Sequence, residues 1–176
     1  GGVSLAGAGG LYVAGDTVIQ RVDIVTRMGT TVAGTGSSGT DVGATPLQST
    51  FSGMYGVEAD GTGNVYVTDT YGIRMLSGVW VAGSTSSSGD TAAAGTNAVF
   101  QSPNAVRADV AGGLLYVAET YSYRVRTIST AGSHAVATLA TLPDRVYDIA
   151  LNPAAQVMYV AVRSSVYLVT YAGVSA

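Results

Sequence analysis

The chain has 176 residues, a net charge of −3 and only 11% charged residues, against about 25% in a typical soluble domain. It contains no lysine, and without a basic surface neither nucleic acid nor an anionic membrane is expected as a partner. The absence of cysteine and the presence of a single histidine, His134, exclude a disulfide scaffold and a zinc site of ordinary composition. No apolar run approaches the roughly 18 residues of a membrane span, so we do not expect membrane insertion. We also expect no bound cofactor.

Short strands separated by glycine-containing turns are predicted along the whole chain. Triplets such as Val65-Tyr66-Val67 are β-branched or aromatic on both faces, which indicates strands covered on both sides by neighbouring sheets. Glycine accounts for 24 residues and a 3.6-residue periodicity is missing, so no helix is expected. In chain order, the predicted strands are Val3–Leu5, Leu11–Ala14, Val18–Val25, Thr31–Ala33, Gly56–Ala59, Asn64–Thr68, Ile73–Leu76, Val79–Ala82, Ala105–Ala108, Leu114–Ala118, Tyr123–Ile128, Ala135–Leu139, Tyr147–Leu151, Val157–Ala161, Val166–Val169 and a last one near Tyr171–Val174.

These strands group into four repeats of one kind. The anchor tyrosines Tyr12, Tyr66, Tyr116 and Tyr159 are 54, 50 and 43 residues apart, a period typical of repeat architectures in which each unit is one small sheet. In the first three repeats a carboxylate and then an arginine follow the tyrosine, whereas Tyr167 takes the arginine position in the fourth. The carboxylates are Asp16, Asp69 and Glu119, and the repeat arginines are Arg21, Arg74 and Arg124.

Four such repeats predict an all-β fold, a β-propeller-type array of four four-stranded antiparallel blades. A β-sandwich is less favoured because its strands do not restart at the same place. The blades are expected at about 1–34, 55–83, 104–140 and 146–175 of a single domain covering 1–176, with long loops at 35–54 and 84–103. The array is either a closed four-bladed ring or an arc of a larger propeller. An arc would need self-association or further chain to cover its open faces and edges.

The second repeat contains Gly56-Val57-Glu58-Ala59-Asp60, then Gly63-Asn64-Val65-Tyr66-Val67, then Asp69-Thr70 followed by Arg74, and Ala98–Pro103 reads Ala-x-Phe-x-x-Pro. This order resembles that of NHL repeats, a propeller-blade family, over nearly the whole chain and most closely in the second and third repeats. The resemblance implies a propeller fold. The metal-binding histidines of its lyase and lactonase members have no counterparts here, and the family's usual Asn-His before the arginine is Gly72-Ile73 or Ser122-Tyr123.

The loops between the second and third strands are expected to share one face with the long linkers, because alternate connections of an up-and-down sheet emerge on the same side. Two interpretations of this face are open. In the architectural one, the three repeat carboxylates pair with the repeat arginines or cap turns. In the functional one, the same carboxylates line a site for a glycan or a protein segment together with Tyr71, Tyr121 and Tyr123. The hydroxyl-rich linkers are either solvated or O-glycosylated.

No catalytic or metal-binding constellation is predicted. His134 is expected in a turn on the opposite face, and Asp41-Val42-Gly43 and Asp60–Asn64 lack the alternating carboxylates of a calcium loop. We therefore expect a non-catalytic scaffold that binds protein or glycan, outside the cell or at its surface. The alternatives are a structural subunit of an extracellular filament or coat, and a propeller-type hydrolase or lyase.

Overall fold

The computed structural model describes residues 1–7, 9–84, 88–89 and 91–171. Within them the chain forms four antiparallel sheets, named blades I to IV in chain order. The only helical segments of this described part are the 3₁₀ turns Pro46–Gln48, Gly95–Asn97 and Pro153–Ala155. The strands are β1 Val3–Leu5, β2 Gly10–Ala14, β3 Ile19–Asp23 and β4 Gly29–Ala33 in blade I; β5 Val57–Ala59, β6 Val65–Asp69, β7 Gly72–Met75 and β8 Trp80–Gly83 in blade II; β9 Pro103–Asp109, β10 Leu114–Glu119, β11 Arg124–Ser129 and β12 Val136–Thr141 in blade III; and β13 Val146–Asn152, β14 Val157–Val162 and β15 Val166–Thr170 in blade IV.

Strand order follows chain order in every blade, and the predicted all-β, propeller-type array is confirmed. Blade IV has three strands in the described residues. Of the last strand predicted near Tyr171–Val174, only Tyr171 is described, and it is not in a strand; residues 172–174 lie outside the described residues. No helix in the described ranges has the length and apolar character needed to cross a bilayer.

The anchor tyrosines occupy one register position in all four blades. On the innermost strand they face Ser4, Glu58, Arg107 and Ala150, respectively. We call the side of a blade that carries this tyrosine its forward face and the other side its rear face. Tyr66 packs in a buried cluster with Val106 of blade III, and Tyr116 in one with Ile149 of blade IV. Each of these forward faces therefore packs on the rear face of the next blade.

Apolar clusters at the three blade junctions form the core. Val57, Val106 and Ile149, at equivalent positions on the rear faces of blades II, III and IV, are 0–1% exposed, and each belongs to a different cluster. The inner strands β1, β5, β9 and β13 contact one another in that order. In the described part of the chain, blade IV does not return to blade I, so the blades form an open arc.

The blades approach one another closely at the residues just before the inner strands β1 and β5. A Cβ atom on Gly2 would lie 2.7 Å from the carbonyl oxygen of Tyr55, and one on Gly56 would lie 3.0 Å from the Cα atom of Ala105. Side chains larger than these would push neighbouring blades apart. The small residues at this position thus bring the blades together around the axis of the arc.

The two long linkers fill the outer gaps between blades. In the first, the Ser49 hydroxyl donates to the carbonyl oxygen of Ser77, in the turn between β7 and β8, at 3.1 Å. In the second, the carbonyl oxygen of Ala93 accepts from the Val136 N–H at the start of β12, at 2.9 Å. These contacts correct the expectation that the linkers share the loop face along their whole length, since blades diverge away from the axis and the gap must be filled. Thr85–Ser87 of the hydroxyl-rich run lie outside the described residues.

Candidate functional site

Arg74 is the centre of the buried polar contacts in blade II. Its Nη1 atom lies 2.8 Å from Oδ2 of Asp69, and both side chains are 0% exposed. The guanidinium stacks over Phe51 at 4.5 Å from the ring centroid, and it donates to the carbonyl oxygens of Thr50 and Asp41 at 2.6 and 3.0 Å. Arg74 thereby fastens the first linker to blade II.

Blade III contains an equivalent pair, but its arginine is Arg126 and not the expected Arg124. Arg126 Nη1 lies 3.3 Å from Oε2 of Glu119, both side chains are 0% exposed, and the guanidinium lies over Phe100. The strands explain the correction: Arg74 lies opposite Val67, and Arg126 lies opposite the equivalent Val117. The loop between β10 and β11 has four residues against two between β6 and β7, which displaces the arginine along the sequence by two positions.

Blade I lacks this ion pair. In blade I, Gln20 lies opposite Val13 and therefore occupies the position of Arg74. Arg21 lies opposite Tyr12, on the forward face. Asp16 is exposed, and its Oδ1 accepts a hydrogen bond from the Gly53 N–H at 3.2 Å. Arg21 is therefore not equivalent to Arg74, and Asp16 contacts the first linker.

Asp69 and Glu119 are each paired with a buried arginine, which is the repeat arginine Arg74 in blade II and Arg126, not Arg124, in blade III. Asp69 and Glu119 are fully buried, so they are unable to contact a ligand at the surface, which corrects their assignment as candidate binding residues. Burial is the largest influence on both groups and raises the pKa of Asp69 and of Glu119, while the paired arginine acts in the opposite direction. Their structural role is to hold the loop and linker backbone around the arginine.

The inner strands line a cavity of about 270 Å³ at the axis, and this cavity is open to solvent. It lies where β1, β5, β9 and β13 begin, which is the end of the blades that also carries the β2–β3, β6–β7 and β10–β11 loops. Its walls combine two exposed tyrosines with three polar side chains from blades III and IV. These residues are Tyr55, Tyr147, Asn104, Arg107 and Asp148, and Gly1, Gly2, Gly56 and Ala105 complete the lining.

The cavity's polar groups are fixed by contacts between neighbouring blades. Arg107 Nη2 donates to Oδ1 of Asp148 at 2.7 Å, and Asn104 Nδ2 donates to the carbonyl oxygen of Tyr147 at 2.9 Å. The Asp148 side chain remains 56% exposed and that of Arg107 25% exposed. Both groups therefore keep hydrogen-bonding capacity toward the cavity while their positions are set by the fold.

Glu58 continues this network between blades I, II and III. Its carboxylate accepts from the Ala108 N–H at 3.3 Å and from the Ser4 hydroxyl at 3.4 Å. The Ser4 oxygen in turn accepts from the Ala59 N–H at 2.9 Å. Burial is the main cause that raises the pKa of Glu58 above its ordinary value. The folded state therefore disfavours the ionised form of this carboxyl.

Replacing Glu58 by glutamine is expected to make stability less dependent on pH. The pKa of Glu58 is raised in the folded state. Below the ordinary pKa of this carboxyl, Glu58 is protonated in both the folded and the unfolded state. Between the ordinary pKa and the raised one, only the folded state keeps the proton. Wild type should therefore lose stability relative to Glu58→Gln as pH rises through that window, and remain constant relative to it at higher pH. Urea unfolding at pH values from about 2 to 7, which covers the windows of both Glu58 and Asp23, measures the difference.

Asp23→Asn provides a control of opposite sign. The pKa of Asp23 is lowered chiefly by the hydrogen bond from the Thr26 N–H, so wild type should lose stability relative to this variant as pH falls through the Asp23 pKa. Equal pH profiles for wild type and Glu58→Gln would contradict the assignment of a raised pKa to Glu58.

Tyrosines form a rim beside the cavity. Tyr121, Tyr123 and Tyr147 are 53%, 41% and 38% exposed. The Arg145 guanidinium lies 4.8 Å from the ring centroid of Tyr121, and hydrogen bonding to the Tyr147 side chain is the main cause that raises the pKa of Arg145. Tyr71 is half-buried in its loop. Since Tyr147 belongs to both the rim and the cavity wall, the two form one continuous surface.

The described residues contain no group of three or more histidine, cysteine or carboxylate side chains able to hold a metal ion. His134 lies in the turn between β11 and β12, where its Nδ1 is 2.9 Å from the carbonyl oxygen of Ser129. This turn is at the opposite end of blade III from the cavity. The axial surface offers tyrosine rings for stacking and the side chains of Asn104, Arg107 and Asp148 for hydrogen bonding.

No protein-family profile matches the chain, and no curated protein matches it either. Several solved structures are similar to the chain. An auxiliary nutrient binding protein from Bacteroides thetaiotaomicron VPI-5482 aligns with a TM-score of 0.67 and 12% identity over 90% of this chain and 44% of that one. A protein of unknown function from the same organism aligns with a TM-score of 0.71 and 20% identity over 92% and 44%.

The chain has a β-propeller fold. A luciferin-regenerating enzyme is also similar, with a TM-score of 0.59 and 15% identity over 98% of this chain and 61% of that one. At these identities the similarity establishes the fold alone. The chain spans less than half the length of the two Bacteroides structures.

The cavity residues were not among the candidates from the sequence. Tyr55 lies two residues before β5, Asn104 and Tyr147 are the second residues of β9 and β13, and Arg107 and Asp148 lie further along these two strands. A signal was present, because the two residues before Val57, Val106 and Ile149 differ between repeats, whereas these three residues are all β-branched. Nothing in the sequence indicates that these five residues meet at an axis, because their proximity depends on how the blades pack.

Proposed function

We propose that the chain is a non-catalytic NHL-type propeller module that binds a glycan or a protein segment in the axial cavity and on its tyrosine rim, outside the cell or at its surface. The observation that carries this proposal is the convergence of two exposed tyrosines and three positioned polar side chains on one cavity. Aromatic side chains that are exposed before binding provide contact area at low entropic cost. The low charge and hydroxyl-rich loops of the chain favour an extracellular location.

A glycan suits the chemistry of this cavity. Its hydroxyl groups both donate and accept hydrogen bonds, and the site offers acceptors on Asp148 and donors on Arg107 and Asn104. Its apolar ring faces would stack on Tyr55 or Tyr147. The volume of about 270 Å³ lies just below the range of roughly 300–1,000 Å³ for small-molecule sites, which favours a single sugar unit or chain end inside and further units on the rim.

Tyr147→Ala is expected to weaken ligand binding about fivefold or more, because truncating an aromatic anchor costs about 1 kcal/mol of binding energy or more. A glycan array followed by isothermal titration calorimetry with the best glycan supplies the measurement. Tyr167→Ala is the matched control, since Tyr167 is 37% exposed against 38% for Tyr147 but lies away from the cavity.

Equal affinities for the Tyr147→Ala and Tyr167→Ala variants would place the ligand elsewhere. Turnover of a panel of lactones and esters by the purified chain, with and without added divalent metal, would contradict the non-catalytic assignment. A peptide array screened in parallel distinguishes a protein segment from a glycan.

A further inference from the structure

The two ends of the arc expose the two halves of one repeated interface. On the forward face of blade IV, Val166 occupies the position of Ile19, Ile73 and Val125. Those three residues are 0% exposed because the next blade covers them, whereas Val166 is 65% exposed. The anchor Tyr159 on the same face is 50% exposed, against 7% and 0% for Tyr66 and Tyr116.

The rear face of blade I shows the complementary pattern. Val3 occupies the position of Val57, Val106 and Ile149, which are 0–1% exposed, yet Val3 is 56% exposed and Leu5 is 74% exposed. The strand residues of this rear face include no charged side chain. Monomeric proteins rarely leave contiguous apolar faces of this kind uncovered.

The junction between blades III and IV shows that two blades can pack together without a long linker. Blades I and II, and blades II and III, are joined by linkers that place Phe51 and Phe100 in the gap. Blades III and IV are joined by only four residues, 142–145, and their junction is nevertheless filled by a buried cluster. A separate chain could therefore supply the next blade through strand faces alone.

We propose that a second copy of this chain packs the rear face of its blade I on the forward face of blade IV, so that two copies associate head to tail. This contact continues the interface that already occurs at the I–II, II–III and III–IV junctions. If both open ends pair in this way, two copies close a ring of eight blades, at the upper end of the four to eight blades typical of propellers. The proposal is independent of the ligand assigned to the cavity.

Analytical ultracentrifugation of the 176-residue chain tests the contact. Wild type is expected at twice the chain mass of 17.7 kDa. Val3→Arg and Val166→Arg should each raise the dissociation constant at least roughly 30-fold, because each places an unpaired charge in the buried interface. Val42→Arg is the matched control, because Val42 is 50% exposed in the first linker, and it should associate as wild type does.

Mixing the two interface variants gives the decisive result. A copy with Val3→Arg retains an intact blade IV, and a copy with Val166→Arg retains an intact blade I, so one normal junction forms between them. The mixture should therefore contain heterodimers at concentrations where each variant alone is monomeric. This recovery also shows that both variants are folded, as matching circular dichroism spectra should confirm.

Three results would overturn the proposal. The first is a monomeric wild type at every concentration. The second is an assembly that Val3→Arg leaves intact, as in a symmetric pairing of two blade IV faces. The third is an equal loss of association in the Val42→Arg control.

Discussion

Replacing Arg74 by alanine is expected to lower the free energy of unfolding by about 3–5 kcal/mol, the usual cost of removing one partner of a buried ion pair. The variant leaves the Asp69 carboxylate, 0% exposed, without its cation in a low-dielectric environment. It also deprives the carbonyl oxygens of Thr50, Asp41 and Gly78 of a donor. Urea unfolding followed by circular dichroism measures the loss.

Arg163→Ala is the control for this prediction, because Arg163 is exposed in the loop between β14 and β15. Substitutions at such sites usually change stability by less than 0.5 kcal/mol. Replacing both members of the pair, as Asp69→Asn with Arg74→Met, should recover part of the loss because no buried charge is then unpaired. A cost for Arg74→Ala as small as that of Arg163→Ala would show that the pair does not fasten the linker.

Replacing Phe100 by alanine is expected to lower the free energy of unfolding by a similar amount, about 3–5 kcal/mol, as for other large-to-small changes at buried aromatic positions. Phe100 is 0% exposed and fills the gap between blades II and III beneath the Arg126 guanidinium. Its carbonyl oxygen accepts from the Gly89 N–H, and the next residue donates to Glu119. The void left by the missing ring would therefore loosen both the second linker and the junction between blades II and III.

Two measurements separate these effects. Urea unfolding gives the global loss, and hydrogen exchange at the Val136 N–H, which is bonded to Ala93 of the linker, reports local release. Leu47→Ala is the control, since Leu47 is a linker residue that is 52% exposed. If Phe100→Ala and Leu47→Ala cost the same, the linker would be a surface loop and not part of the core.

The repeat and its strands are readable from the sequence because both depend on local pattern. Runs of β-branched and aromatic residues bounded by glycine turns placed most strands within two residues of their observed bounds. The anchor tyrosines proved equivalent for the same reason, since each is preceded by an apolar residue and followed by a valine in the second strand of its blade. Tyr167 likewise lies opposite Val160, in the position that Arg74 occupies opposite Val67.

The partner of each carboxylate was harder to predict, because it depends on register across a loop. Counting along the chain selected Arg124, but two additional loop residues in blade III bring Arg126 to the position of Arg74. In blade I the same position is Gln20 and not Arg21. A change of one residue in register moves a side chain to the other face of the sheet, so residue type alone is insufficient.

Only the tertiary structure decided where function could reside. The cavity takes Tyr55, Asn104 and Tyr147 from three blades, and these residues are distant in sequence and become neighbours because the inner strands surround one axis. The linkers, polar enough to be predicted on a surface, enter the gaps between diverging blades because each carries one phenylalanine. Short-range pattern thus specified each blade, whereas the packing of one blade on the next created the cavity and left the two end faces exposed.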